Sequence, residues 1–223
     1  MDFEKYKTEL ELIHKQNDVE HDLYNIIANV VRERKAFNNI SLRDIGNRRR
    51  TKSGKEKVFW GLRGFPDFVI LDEKYEPIEQ SVDRQYVYGV IEAKFAYKPL
   101  FDNYEDKRQL LGHLLWFKKV IYTNGIEWRF YSVDENKVNS MLEQATSKKL
   151  EELQNNSYTN LAKKEIVYNE IDCILDTICK KNIIDELMIC EPIVLRTKND
   201  SGEIIWNKVK WDELINFLDK YKF

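Results

Sequence analysis

The sequence predicts a mixed α/β protein whose layered core runs helix, three strands, helix, two strands, followed by a mainly helical extension. Apolar residues recur at helical spacing in two segments of the first half, and short segments rich in β-branched and aromatic residues lie between and after them. The 223 residues include only 8 Gly and 4 Pro, and 13% are aromatic, which excludes a low-complexity or disordered chain. With 43% hydrophobic residues, the chain can bury one core and a small appendage.

The first helix is predicted over residues 18–37, with Asn17 or Asp18 available as its N-cap. Its apolar positions at helical spacing are Leu23, Ile26, Ile27, Val30 and Val31. A basic, polar surface loop follows, and three strands are then predicted at 58–62, 68–71 and 86–95. A turn-prone stretch separates the last two strands, which allows them to pair with each other.

A second helix is predicted over 104–119, and two further strands at 119–123 and 127–133 are joined by Asn124-Gly125, a strong hairpin signal. These elements complete a core domain over residues 1–133. Residues 134–223 are predicted as a mainly helical extension that packs on the core. It contains two helices separated by the polar segment 154–160, a hairpin over 193–209 and a last helix from Trp211.

The composition also excludes several classes of protein. No uncharged apolar run approaches the roughly 20 residues that span a bilayer, and acidic residues stand where a secretory signal would be basic. We therefore expect a cytoplasmic protein without a membrane partner. The three cysteines, Cys173, Cys179 and Cys190, are odd in number and lack CxxC spacing, so they are predicted to be reduced core thiols.

Three residues with complementary chemistry are brought together by the predicted strands. Glu92 and Lys94 are two apart on one strand and share a face, and Asp67 begins the neighbouring strand 25 residues upstream. Two carboxylates about 4 Å apart repel each other by roughly 4 kcal/mol at an effective dielectric constant of about 20, so such a pair needs a shared proton or cation. Oxygen ligands favour Mg²⁺, which bonds readily to phosphates. The pattern therefore predicts a metal-dependent phosphodiesterase with Lys94 beside the metal.

The spacing of these residues, with Pro66 before the aspartate, resembles the PD-(D/E)xK nuclease superfamily. Residues 64–71, 90–94 and 120–133, with Gln109 at the start of the second helix, look most like the N-terminal nuclease domain of type I restriction enzyme R subunits. The resemblance covers roughly residues 18–133 and implies a restriction-endonuclease-like core.

By this resemblance Asp67 and Glu92 bind Mg²⁺, for which Mn²⁺ can substitute, and Lys94 is the catalytic lysine. Glu20 on the first helix is a candidate further metal ligand, and Gln109 matches the active-site glutamine of the family. The implied activity is endonucleolytic hydrolysis of DNA in restriction or in defence against mobile elements.

Two departures from the family pattern limit what is carried over. A tyrosine that commonly follows the glutamine is absent, and His113 or Trp116 stands nearby. The histidines share no metal-binding or triad spacing, so we expect them to be structural or exposed. The chain also lacks a P-loop, because the Gly54-Lys55 pair is followed by glutamate, and so no nucleotide cofactor is expected. The nuclease would act alone, as a homodimer, or with a recruiting protein.

The charge of the chain is distributed unevenly. Its formal net charge is -2, but residues 43–63 contain eight basic residues against two acidic ones. Beside a phosphodiesterase site, such a segment is expected to neutralise DNA phosphates. The predicted DNA-binding residues are Arg48, Arg49, Arg50, Lys52, Lys55 and Arg63.

Two other functions remain open from the sequence. The fold could serve as a catalytically silent DNA-binding or protein-binding module of a defence system, with the C-terminal helices as a docking surface. Alternatively, the segment from Gly64 to Asp67 also resembles the start of the VRR-type nuclease pattern, which implies repair or junction processing.

Overall fold

A computed structural model describes residues 1–16, 19–34, 39–46, 55–76, 84–162, 169–180 and 183–222. The protein is of the mixed α/β class, as the sequence predicts, and its centre is a six-stranded sheet. The strands of this sheet, in both chain order and spatial order, are β1 (Ile40–Asp44), β2 (Phe68–Asp72), β3 (Val87–Ala93), β4 (Lys119–Thr123), β5 (Glu127–Ser132) and β6 (Ile193–Val194). Neighbouring strands are antiparallel except β3 and β4, which are parallel.

Helices cover both faces of the sheet in the described part of the chain. In chain order they are α1 (Phe3–Gln16), α2 (Glu20–Arg32), α3 (Tyr104–Phe117), α4 (Glu135–Glu143), α5 (Leu150–Ala162), α6 (Asn169–Cys179), α7 (Ile183–Glu186) and α8 (Lys208–Lys220). A separate hairpin is formed by β7 (Arg196–Lys198) and β8 (Ile204–Trp206). No helix within these described ranges is long and apolar enough to cross a membrane.

The sheet divides the interior into two apolar cores. Along β2, Phe68 and Ile70 face the core shared with α1, α2 and α8, whereas Val69 and Leu71 face the core shared with α3, α4, α5 and α6. Because successive side chains of a strand point to opposite faces, a strand buried on both sides is apolar throughout. This explains the unbroken FVIL run of the sequence.

The C-terminal residues contribute to the same sheet and core as the N-terminal ones. Strand β6 pairs with β5, and Trp211 of α8 packs against Tyr6 of α1 with ring centroids 4.6 Å apart. The predicted β7–β8 hairpin and the last helix are both present. The Asn124-Gly125 hairpin between β4 and β5 is also present, with Gly125 in the left-handed region at φ +81°.

The first predicted strand, 58–62, is wrong. The chain instead forms a 3₁₀ helix over Lys55–Phe59, and Trp60 then donates its indole N–H to Ser157 Oγ at 2.8 Å. The first strand is β1, which pairs with β2 from Ile40 opposite Asp72 to Asp44 opposite Phe68. A short apolar run cannot distinguish a strand from a segment that packs irregularly against a helix.

The polar segment 154–160 is also misassigned, because it lies inside α5. Gln154 and Ser157 are buried there, since they donate to the carbonyls of Trp60 and Leu62 at 3.0 and 2.9 Å. They therefore satisfy backbone groups that the irregular segment cannot pair with itself.

Helix boundaries and cysteine burial differ from the sequence interpretation as well. Helix α1 precedes the helix predicted as the first, and α2 has Val19 at its N-cap with no side-chain capping bond. Asn17 and Asp18 lie outside the described residues. All three cysteines are free, as expected, but they differ in exposure: Cys179 is buried, Cys190 is half-buried and Cys173 is exposed.

Candidate active site

The antiparallel pairing of β2 with β3 brings two acidic residues to one end of the sheet. Phe68 lies opposite Ile91, so the next residues outward, Asp67 and Glu92, are neighbours. Asp67 Oδ2 accepts a hydrogen bond from the backbone N–H of Ala93 at 2.7 Å. Both carboxyl residues are withdrawn from water, with 9% of Asp67 and 3% of Glu92 exposed.

Lys94 places its ammonium group beside this carboxylate pair. Its Nζ lies 2.9 Å from Glu92 Oε1 and 2.6 Å from Gln109 Oε1, and Asp106 Oδ1 lies 3.7 Å away. The backbone of Lys94 is held as well, because its N–H donates to the carbonyl of Thr123 at 2.8 Å. Burial alone would lower the pKa of the ammonium group, but the nearby carboxylate of Glu92 raises it to about 12.

Helix α3 supplies the other half of this ion-pair network. Asp106 and Gln109 are three residues apart and therefore share a face of the helix. The helix begins where Asn103 caps it, by accepting from the N–H of Asp106 at 3.0 Å. This anchoring holds Gln109 against Lys94, at 2.6 Å from its Nζ.

Helix α2 approaches the carboxylate pair from the other face of the sheet. Tyr24 donates its hydroxyl hydrogen to Asp67 Oδ1, and the same hydroxyl oxygen lies 3.5 Å from Glu20 Oε1. Glu20 and Tyr24 are four residues apart and occupy one helix face. Burial and the charge of Glu92 raise the pKa of Glu20, while Lys94 opposes them. The carboxyl group of Glu20 therefore interacts electrostatically with both Glu92 and Lys94.

A histidine lies behind the carboxylate of Glu92. His113, one helical turn after Gln109 on α3, is completely buried, and its Nε2 is 3.3 Å from Glu92 Oε2. From its sequence spacing alone, this histidine is expected to be structural or exposed. The Gln109-to-His113 spacing of one turn was the available signal, but only the paired strands reveal that this helix face meets Glu92. Sequence reasoning also missed Tyr24 and Asp106, because their contacts with Asp67 and Lys94 depend on how α2 and α3 pack against the sheet.

The two buried carboxyl groups have opposite pKa shifts. Burial and the charge of Glu92 hold the pKa of Asp67 well above its usual range, against the hydrogen bonds from Tyr24 and Ala93. For Glu92, burial would raise the pKa, but Lys94 and His113 outweigh it and lower the pKa. This environment therefore favours the protonated form of Asp67 and the charged form of Glu92.

The side chains at this sheet end offer oxygen donors suited to a hard cation. Within the described part of the chain, buried Glu92 Oε2 has no hydrogen-bond partner, and each oxygen of the Asp67 carboxylate accepts one bond and retains a lone pair. Among the described residues, no group of three or more His, Cys, Asp or Glu side chains is arranged to hold a metal ion. Two carboxylates still fit Mg²⁺, which keeps several waters and completes its shell with substrate phosphates.

The predicted DNA-binding residues are only partly placed by the structure. Arg48, Arg49, Arg50 and Lys52 lie outside the described residues, as does the side chain of Lys55. Arg63 is 10% exposed and pairs with Glu105 and with Asp172, the latter at 3.1 Å. Gly46, the last described residue before Arg48, lies against the site: a Cβ added to it would be 3.6 Å from Asp67 Oδ1.

Comparison with known proteins does not identify a relative. No family model, no curated protein and no solved structure matches the chain.

Proposed function

We propose that this protein is a Mg²⁺-dependent endonuclease that hydrolyses DNA phosphodiester bonds. The observation that carries the proposal is the buried pair of Asp67 and Glu92 with Lys94 bonded to both Glu92 and Gln109. A protein that only binds DNA gains nothing from burying two carboxyl groups side by side, whereas a metal-dependent hydrolase uses such a pair as ligands. Gly46 lies beside Asp67, and the basic residues that follow it in the sequence carry charge suited to holding DNA.

Each residue of the site has a distinct role in this proposal. Asp67 and Glu92 hold the cation, and Glu20 contributes from α2. When bound, Mg²⁺ acidifies water and neutralises charge that develops on the phosphate. Lys94 keeps its ammonium charge because of Glu92, and it orients the attacking water or the scissile phosphate. Gln109 fixes the position of Lys94 Nζ by accepting its hydrogen bond.

The wider assignment follows from the same residues. The mixed sheet with helices on both faces supports a restriction-endonuclease-like core of the PD-(D/E)xK superfamily. The motif most resembles the nuclease domain of type I restriction enzyme R subunits, which favours a cytoplasmic role in restriction or in defence against mobile elements. Double-strand cleavage would depend on two copies of the site, supplied by a homodimer or brought together by a recruiting protein.

Nicking of supercoiled plasmid with Mg²⁺ tests the proposal. The wild-type protein should convert supercoiled plasmid to open circles, and Glu92→Gln and Lys94→Met should each lower the rate by roughly 10²- to 10⁴-fold, because each removes an electrostatic or proton-transfer contribution. Lys148→Met is the matched control: Lys148 also pairs with a glutamate, Glu170 at 2.6 Å, but on the surface. It should cleave like wild type.

The pattern of results separates the competing functions. Equal nicking by all four proteins, or none by the wild type under any divalent cation, contradicts the nuclease assignment. Retention of DNA without cleavage would instead favour the binding module. Preference for branched or flapped DNA over linear DNA would favour the VRR-type repair nuclease.

A further inference from the structure

At the site, the imidazole of His113 and one oxygen of the Glu92 carboxylate lie close together without a hydrogen bond. Neither ring nitrogen of His113 has a hydrogen-bond partner within the described structure, and neither has Glu92 Oε2. Nε2 and Oε2 are 3.3 Å apart, within bonding distance but without the alignment of a formed bond. Leaving a buried donor and a buried acceptor unpaired costs about 1–3 kcal/mol each, so a small rotation that pairs them is favoured.

The surroundings of His113 direct its ring at Glu92. The other oxygen of Glu92, Oε1, already accepts from Lys94, so Oε2 is the acceptor that remains. Gly61 closes the opposite side of the ring, since a Cβ there would lie 2.8 Å from His113 Nδ1. The ring of Phe117, with its centroid 6.0 Å from that of His113, lies on the same helix one turn further on. The imidazole is thus enclosed, and its polar edge points to the carboxylate.

We propose that His113 is a positioning residue: it donates its Nε2 hydrogen to Glu92 Oε2 and so fixes the plane in which this carboxylate meets the metal and the phosphate. Lys94 and His113 then hold the two oxygens of Glu92 from different elements, and α3 carries both His113 and the Gln109 that holds Lys94. This inference rests on the proposed nuclease function. Groups that orient a metal-binding carboxylate typically change activity or metal affinity by 10- to 100-fold when removed.

The kinetic test compares two substitutions at one position. His113→Leu fills similar volume without a donor, and His113→Gln retains an N–H that reaches Glu92. We expect His113→Leu to lower kcat for plasmid nicking by roughly 10- to 100-fold with KM for DNA unchanged, and His113→Gln to recover most of the loss. Wild-type kcat in His113→Leu, while Glu92→Gln is inactive, would overturn the inference and leave the nuclease assignment intact.

A spectroscopic test does not depend on activity. In metal-free protein at neutral pH, ¹⁵N spectra of the imidazoles should show His113 carrying hydrogen on Nε2, with a resonance that shifts in Glu92→Gln. A hydrogen on Nδ1 alone, or a resonance unaffected by Glu92→Gln, would overturn the inference even if His113→Leu does not fold. A wild-type protein that never cleaves DNA would remove the proposed function, but this spectrum would still report the His113–Glu92 contact.

Discussion

The ion pair between Lys94 and Glu92 should contribute measurably to the free energy of unfolding. Removing one partner should lower this free energy more than removing both. The pKa of Lys94 is about 12 against an ordinary 10.5, a difference that corresponds to about 2 kcal/mol in favour of the charged form in the folded protein. Its side chain is only 17% exposed, so water screens the pair weakly. Lys94→Met also leaves Glu92 buried without its cation, which raises the expected loss to about 2–5 kcal/mol.

Urea unfolding followed by circular dichroism, in EDTA at pH 7.5, measures this loss for Lys94→Met, Glu92→Gln and the double variant. The double variant should recover most of the stability, because replacing both buried charges is often neutral. The coupling free energy of the cycle should be at least about 2 kcal/mol, equivalent to a change in Tm of at least about 4 °C for a chain of this length. Lys148→Met removes the surface ion pair between Lys148 and Glu170 and should leave the unfolding midpoint unchanged.

The pH dependence gives a second readout of the same pair. Because the folded pKa of Lys94 is raised, its contribution is complete below about pH 10.5 and is lost as the pH rises through about 12. The difference in stability between wild type and Lys94→Met should therefore shrink over this interval. Additive losses in the double variant, with a coupling free energy below about 0.5 kcal/mol, would refute the reasoning.

Three further predictions concern single positions. Asp67→Asn should raise the Tm of the metal-free protein at neutral pH. Because the pKa of Asp67 is raised in the folded protein, the wild type loses stability as the pH rises above the ordinary value of 3.8, and the variant does not. In a thermal scan at lower pH, the difference in Tm between the variant and the wild type should vanish. Ser157→Ala should destabilise by about 1–3 kcal/mol in urea, because it unpairs buried groups, whereas Thr159→Ala on the exposed face of the same helix should have little effect; equal losses would contradict the assigned contacts. Gly125→Ala should cost clearly more than Gly202→Ala, since both glycines have φ near +80° but an added Cβ meets Leu23 Cδ1 at 2.7 Å only at Gly125; equal midpoints would contradict the packing described there.

The local sequence predicts the parts of the fold that have strong periodicity. Strands β2 and β3, helix α3 and the β4–β5 hairpin follow from short apolar runs, helical spacing and Asn124-Gly125. Strand β1 was missed because it is only partly buried and carries two apolar residues, Ile40 and Leu42, so its strand conformation depends on pairing with β2. The segment 58–62 was misread because its carbonyls and the indole of Trp60 form hydrogen bonds with side chains of α5, about 95 residues away in the chain.

The residues of the candidate site also divide into those that the local sequence identifies and those that depend on long-range packing. Asp67, Glu92, Lys94 and Gln109 could be grouped from spacing and from the resemblance to a nuclease motif. The role proposed for His113 could not, because it depends on how helix α3 is rotated against β3. Such rotation is set by the packing of whole elements, which local patterns do not encode.

The proposed function requires Asp67 and Glu92 to be ligands of a hard divalent cation, and calorimetric titration with Mn²⁺ tests this most directly. Wild-type protein and Lys148→Met should bind the ion, and more tightly as the pH rises, because the pKa of Asp67 is raised in the metal-free site and the ion binds the charged carboxylate. Asp67→Asn and Glu92→Gln should lose this binding. Identical titrations for all four proteins would contradict the account.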